Sequence, residues 1–120
     1  MGIAKMTQGA VLLLVALTAR PAAAGSDDWV RMSGPEIGEL LTDRSARYES
    51  ASQHFYASGR TLYDAGRPSW GYWRVEGDEY CSQWPPGDLW DCYSVDRGKG
   101  DMIRFVARDG STSEGQMLSE

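Results

Sequence analysis

Apolar and polar positions along the chain change period twice, and each change predicts an element. Ser33-Gly34-Pro35-Glu36 is a capping box, in which the Ser33 hydroxyl and the Glu36 carboxylate each serve a free backbone N–H. Ile37, Leu40 and Leu41 then follow at i, i+3 and i+4, one apolar stripe of a helix that Thr42-Asp43 ends. Its shortness suggests a plug or lid on a sheet rather than a member of a bundle. From Arg44 onward the period falls to two. Arg47-Tyr48-Glu49 is a weak strand signal, and Gln53 to Ala57 and Arg60 to Asp64 flank a Ser58-Gly59 turn. Ala65 to Pro68 turns the chain into Trp70 to Val75, where Trp70, Tyr72 and Arg74 share one face and Gly71, Trp73 and Val75 the other. Met102 to Ala107 is a further strand, and Asp109-Gly110 turns into a last, weak one near Thr112 to Leu118.

The stretch Ser69 to Val95 organises the rest. It holds four of the five tryptophans, three of the six tyrosines and both cysteines. Glu76-Gly77-Asp78 and Pro85-Pro86-Gly87-Asp88 cut it into three strands. With Pro86 and Gly87 central, Trp84 faces Leu89, Gln83 faces Trp90, Ser82 faces Asp91, and Cys81 faces Cys92. Opposed Cα atoms in an antiparallel pair lie roughly 4.5 to 5.5 Å apart, and a disulfide spans about 4.4 to 6.8 Å. Turn and cysteines thus predict one register and a Cys81–Cys92 bridge.

These elements predict an α+β fold: one N-terminal helix followed by an antiparallel β-meander of six to eight short strands, curled into a small barrel or half-barrel. Both faces of the Trp70 strand carry tryptophan, which a flat one-sided sheet cannot cover. The aromatics are read mainly as core, and a filled barrel interior is favoured over a hollow one.

The first residues stand apart. Lys5, the apolar run Gly9 to Ala19 and Ala22-Ala23-Ala24 before Gly25 form a signal-peptide pattern, too short for a span of about 20 residues. The expected organisation is a signal peptide over 1–24, a lead-in over 25–32, one domain over 33–109, and a weak last strand or frayed tail over 110–120. Cleavage after Ala24 removes Lys5 and Arg20 and no acid, taking the formal charge from −5 to −7. Such a chain, its basic residues scattered, lacks the footprint of a nucleic-acid binder and of a module held on anionic lipid. Two cysteines beyond the leader suit an oxidising compartment, so a periplasmic or secreted location is expected, with no membrane insertion after cleavage.

The order of motifs resembles a family of small exported bacterial proteins of unknown function. The residues that carry it are Ser33-Gly34-Pro35-Glu36-Ile37, Phe55-Tyr56-Ala57-Ser58-Gly59-Arg60, Gly71-Tyr72-Trp73-Arg74-Val75, Tyr80-Cys81, Trp84 and Cys92-Tyr93. The resemblance covers roughly Trp29 to Ala107 and implies export and fold, with no catalytic residue, cofactor or metal to transfer. The Gly71-Tyr72-Trp73 tripeptide is also reminiscent of the Gly-x-Trp of lipocalin-type barrels, where Gly admits close backbone approach and Trp closes a barrel end.

Candidate chemistry is sparse. His54 is the single histidine and has no nucleophile beside it in sequence. Asp96 to Asp101 has Arg97 and Lys99 where a calcium loop needs oxygen ligands. No phosphate loop or Gly-x-Ser-x-Gly elbow occurs. The expectation is a non-enzymatic binding module of the bacterial envelope, taking an envelope protein, a glycan or a small ligand. Trp84, Trp90, Tyr93 and Arg97 are its candidate contact residues. The competing expectation is an envelope hydrolase with paired carboxylates.

Overall fold

The computed structural model describes residues 28–119. The signal peptide expected over residues 1–24, and the start of the lead-in, lie outside them. The chain runs through β1 (Val30–Arg31), α1 (Gly34–Leu41), β2 (Arg44–Arg47), β3 (Ser52–Phe55), β4 (Arg60–Asp64), β5 (Pro68–Glu76), β6 (Glu79–Gln83), β7 (Asp91–Arg97), β8 (Met102–Ala107) and β9 (Thr112–Met117). Every strand pairing is antiparallel, in the order β7-β6-β5-β4-β3-β2-β9-β8, and β8 pairs back onto β7. The sheet therefore closes into an eight-strand barrel. Closure removes the free edges that a half-barrel would leave. The described residues are mostly β, with one short α-helix ahead of the barrel strands.

Closure depends on the stretch expected as a weak last strand or frayed tail. β9 pairs β8 from Thr112 to Gln116 on one side and meets β2 at Gln116 and Met117 on the other. The lead-in contributes too. Val30 and Arg31 pair with Arg97 and Asp96 on β7, and the Arg104 guanidinium stands 4.5 Å from the Trp29 ring centroid. Asp96 is buried beneath this strap, accepting from Arg31 Nε at 2.5 Å and Arg104 Nη2 at 2.8 Å. Burial alone would raise the Asp96 carboxyl; the two arginines outweigh it and hold it below the usual carboxylate range.

Strand alternation sorts the side chains. Ala46, Phe55, Thr61, Trp73, Tyr80, Val95, Ile103, Phe105 and Met117 point inward and are buried. Trp70 and Tyr72 point outward, 46% and 42% exposed. Helix α1 carries the capping box: Glu36 N–H donates to Ser33 Oγ at 3.3 Å, and Ser33 N–H donates to Glu36 Oε1 at 2.8 Å. Its stripe, Ile37, Leu40 and Leu41, is buried in one cluster with Phe55, Trp73, Val95, Ile103 and Met117. The helix thus closes one end of the barrel. Trp73 helps, since its indole N–H donates to the Tyr56 carbonyl at 2.9 Å.

The β6–β7 register places Cys81 opposite Cys92 and Ser82 opposite Asp91, and the disulfide forms with its Cα atoms 4.0 Å apart. The two further pairs expected toward the turn, Gln83 with Trp90 and Trp84 with Leu89, are not made. Pro85 and Pro86 have no N–H for a ladder. The Gly87 N–H turns back to the Trp84 carbonyl at 3.0 Å, and Gln83 Nε2 donates to the Asp88 carbonyl at 2.9 Å. Residues Trp84 to Trp90 form a loop at the end of the barrel remote from α1.

Candidate functional site

At that remote end the barrel is a cup of about 1010 Å³, open to solvent. The filled interior favoured by composition exists only in the half next to α1. The reason is the size of the inward side chains. Near the plug they are Phe55, Trp73, Ile103 and Met117, whereas Ser69, Ser82 and Ser113 line the cup, with Gly71 and Gly115 behind its rings. Two of these are seats for rings. A Cβ on Gly71 would lie 2.5 Å from Trp84 Cε3, and one on Gly115 would lie 2.7 Å from Tyr48 Cδ1. Only glycine lets those rings lie flat against the wall.

The floor is a polar network set among aromatic rings. Tyr48 Oη donates to Gln53 Oε1 at 2.7 Å. Gln53 Nε2 in turn donates to Thr61 Oγ1 at 3.0 Å and to Tyr80 Oη at 3.1 Å. The Thr61 hydroxyl donates to the His54 carbonyl at 2.7 Å. Gln53 is buried, so each of its amide hydrogen bonds stands in for water that cannot reach it. Nearer the mouth, Trp84 Nε1 donates to Ser82 Oγ at 3.1 Å.

Burial pushes the Tyr80 phenol up to about 12, although hydrogen bonds with Gln53 and Ser82 pull part of the way back. Burial also raises Tyr48, with Tyr80 and Tyr63 adding to it, and raises Tyr93, with Asp91 and Asp109 adding. All three phenols are therefore neutral at physiological pH. They offer the cup ring faces and hydroxyls without charge.

The four residues singled out in the sequence do not converge. Trp84 and Tyr93 line the cup. Trp90 lies on the outer surface, with the Arg74 guanidinium 3.9 Å from its ring centroid. Arg97 is at the plug end, where it lines a smaller hollow of about 530 Å³ with Leu40 and Arg44 and pairs with Asp101 at 3.4 Å. Sequence reasoning missed Tyr48, Gln53, Tyr63, Tyr80 and Phe105 as lining. The available signal was period-two spacing: Gln53 and Phe55, Thr61 and Tyr63, and Tyr80 and Ser82 share an inward face on their strands.

Elsewhere the chemistry is occupied. His54 is on the outer face, its Nδ1 2.7 Å from Ser45 Oγ and its ring 4.3 Å from that of Tyr56. This serine and histidine are opposed across β2 and β3 in the ladder. Glu76, Cys81 and Cys92 form the one group of possible metal ligands among the described residues, and its two sulfurs are joined to each other. Asp96 and Asp101 are each engaged by arginine. Among the described residues no helix is long and apolar enough to cross a membrane.

No family model, characterised protein or solved structure matches this chain. Its function is read from the cup itself.

Proposed function

We propose that this chain is an exported, non-enzymatic binding module of the bacterial envelope, and that it holds a small ligand in the barrel cup. One observation carries the reading: a rigid, closed barrel is plugged at one end by a capped helix and left hollow at the other. A volume of about 1010 Å³ is at the upper end of the range for small-molecule sites, roughly 300 to 1,000 Å³. The lining shares with such sites its aromatic faces, and adds a larger polar share of serine, threonine, glutamine and glutamate. The disulfide, the leader pattern and the resemblance to small exported bacterial proteins support location in the periplasm or outside the cell. Trp84 and Tyr93 are contact residues in this reading, while Trp90 and Arg97 belong to other surfaces.

The paired-carboxylate hydrolase finds less support. Among the residues lining the cup the carboxylates are Glu49 and Glu114, both exposed. A general acid of that kind is held in a desolvated setting.

The test is binding of an uncharged solvatochromic dye, followed by native mass spectrometry of protein purified from its producing cells. Ser113 faces inward at the mouth, and Ser113→Trp fills the entrance. Dye uptake by the folded parent and its loss in Ser113→Trp are the expected result. Equal uptake by both, or none by either, overturns the reading.

A further inference from the structure

The cup also carries a charge preference. Six rings follow one another around its wall. Trp84 and Tyr63 have centroids 6.1 Å apart, Tyr63 and Tyr48 6.1 Å, and Tyr48 and Phe105 6.3 Å. Phe105 and Tyr80 follow at 5.0 Å, and Tyr80 and Tyr93 at 6.1 Å. No lining residue is Lys, Arg or His, and two are glutamates. Arg67, in the turn between β4 and β5, is exposed and outside the lining.

Rings beyond that wall are treated differently, including Trp70, which points outward from β5 and borders the rim of the cup. Arg60 stands 4.6 Å from the Trp70 centroid and 5.8 Å from that of Tyr72, Arg74 covers Trp90, and Arg104 covers Trp29. The chain's own guanidinium groups thus cover four rings that are not members of the wall of six, one of them Trp70 at the rim of the cup. Among the described residues none stands over a ring of the wall of six. An aromatic face is the negative end of a quadrupole and draws a cation to within about 6 Å. Shedding water against the ring faces strengthens that attraction. An anion entering the same space would shed its water and meet no positive partner. Glu49 and Glu114 at the mouth, on a chain of net charge −5, favour entry of a cation and oppose an anion.

Resting on the reading of the cup as a ligand site, we propose that its ligand is an organic cation, an aromatic or quaternary ammonium body held by the faces of Tyr48, Tyr63, Tyr80, Tyr93, Trp84 and Phe105. Glu49 and Glu114 attract it at the mouth, and Gln53 and Ser82 orient its polar end. Fatty acids, phosphates and other anions of the same size are refused.

Titration calorimetry of the full chain with three probes of one shape tests this: N-methylquinolinium, its neutral isostere methylquinoline, and quinoline carboxylate. The cation should bind about tenfold tighter than the neutral probe, and the anion more weakly than either. The preference should shrink at high salt and in the Glu49→Gln/Glu114→Gln variant, whose exposed substitutions leave the core untouched. A neutral or anionic probe that binds as tightly as the cation overturns the cation assignment and leaves the cup as a ligand site. Cation binding that persists unchanged in Ser113→Trp places the cation elsewhere and overturns it as well. If none of the three probes binds, both the cation assignment and the cup reading fall.

Discussion

The six-membered ring of Trp84 is pressed against Gly71, so closely that a Cβ there would be 2.5 Å from Cε3 and 2.7 Å from both Cζ3 and the Gln83 carbonyl oxygen. The ring can swing away from such an atom, but the carbonyl belongs to the β6 backbone and cannot. Gly71→Ala is therefore expected to destabilise by about 1 to 3 kcal/mol, the range for overpacking a filled site. It should also turn Trp84 outward into the mouth. Denaturant unfolding and the tryptophan emission spectrum check this; a neutral change with unaltered emission would mean the ring does not rest on Gly71 in solution.

The plug makes a separable prediction. Ser33→Ala removes the side-chain half of the capping box and should cost about 0.5 to 2 kcal/mol. Leu41 is fully buried, and Leu41→Ala should cost about 2 to 5 kcal/mol by leaving a cavity under the barrel end. A cost for Leu41→Ala below about 1 kcal/mol would show that the helix does not close the barrel.

The disulfide links strands already paired by the ladder, with a sequence separation of 11. Removing both cysteines in a Cys81→Ala/Cys92→Ala variant should lower stability by about 2 to 4 kcal/mol. The barrel should persist, because β6 and β7 remain held by β5 and β8. Mass spectrometry of the oxidised parent should find no alkylatable thiol. Two free thiols in protein from an oxidising compartment would remove the β6–β7 register from the account.

The sequence disclosed local rules better than volumes. Ser33, Pro35 and Glu36 announce a helix start because each acts on its own backbone. The Pro86-Gly87 turn and two cysteines announce a register because pairing has period two. What stayed hidden depends on sums over many strands. Trp84 and Tyr93 are two of the four candidate contact residues, and only the closure of the barrel brings them into one cup. Arg97, four residues beyond Tyr93 on the same face, ends at the opposite end of the barrel. Whether the interior is full depends on small residues such as Gly71, Ser82, Ser113 and Gly115 combining around the wall. Those residues come from three strands, and no local pattern links them. Closure itself rests on β9, whose run Thr112-Ser113-Glu114-Gly115-Gln116 has little of the β-branched or aromatic character that marks a strand.

The last prediction follows from the floor of the cup. Tyr80 is pushed from an ordinary value of 10.0 up to about 12 by burial, and Tyr48 is raised for the same reason. The unfolded chain releases these protons near pH 10, whereas the folded chain retains them to higher pH. A group raised on folding contributes stability that is fully present below its unfolded value and lost as pH climbs through its folded value. The barrel should therefore hold its stability up to about pH 10 and lose it progressively between there and about 12. Tyr80 alone accounts for about 3 kcal/mol of that loss. Phenolate absorbance should show exposed tyrosines ionising first and the buried pair only as circular dichroism reports unfolding. Tyr48→Phe removes one buried phenol and should flatten the alkaline limb. It also leaves Gln53 Oε1 without its donor, so stability at neutral pH should fall by about 1 to 3 kcal/mol. Six tyrosines titrating together near 10 in a chain that remains folded would show that the floor of the cup is open to water.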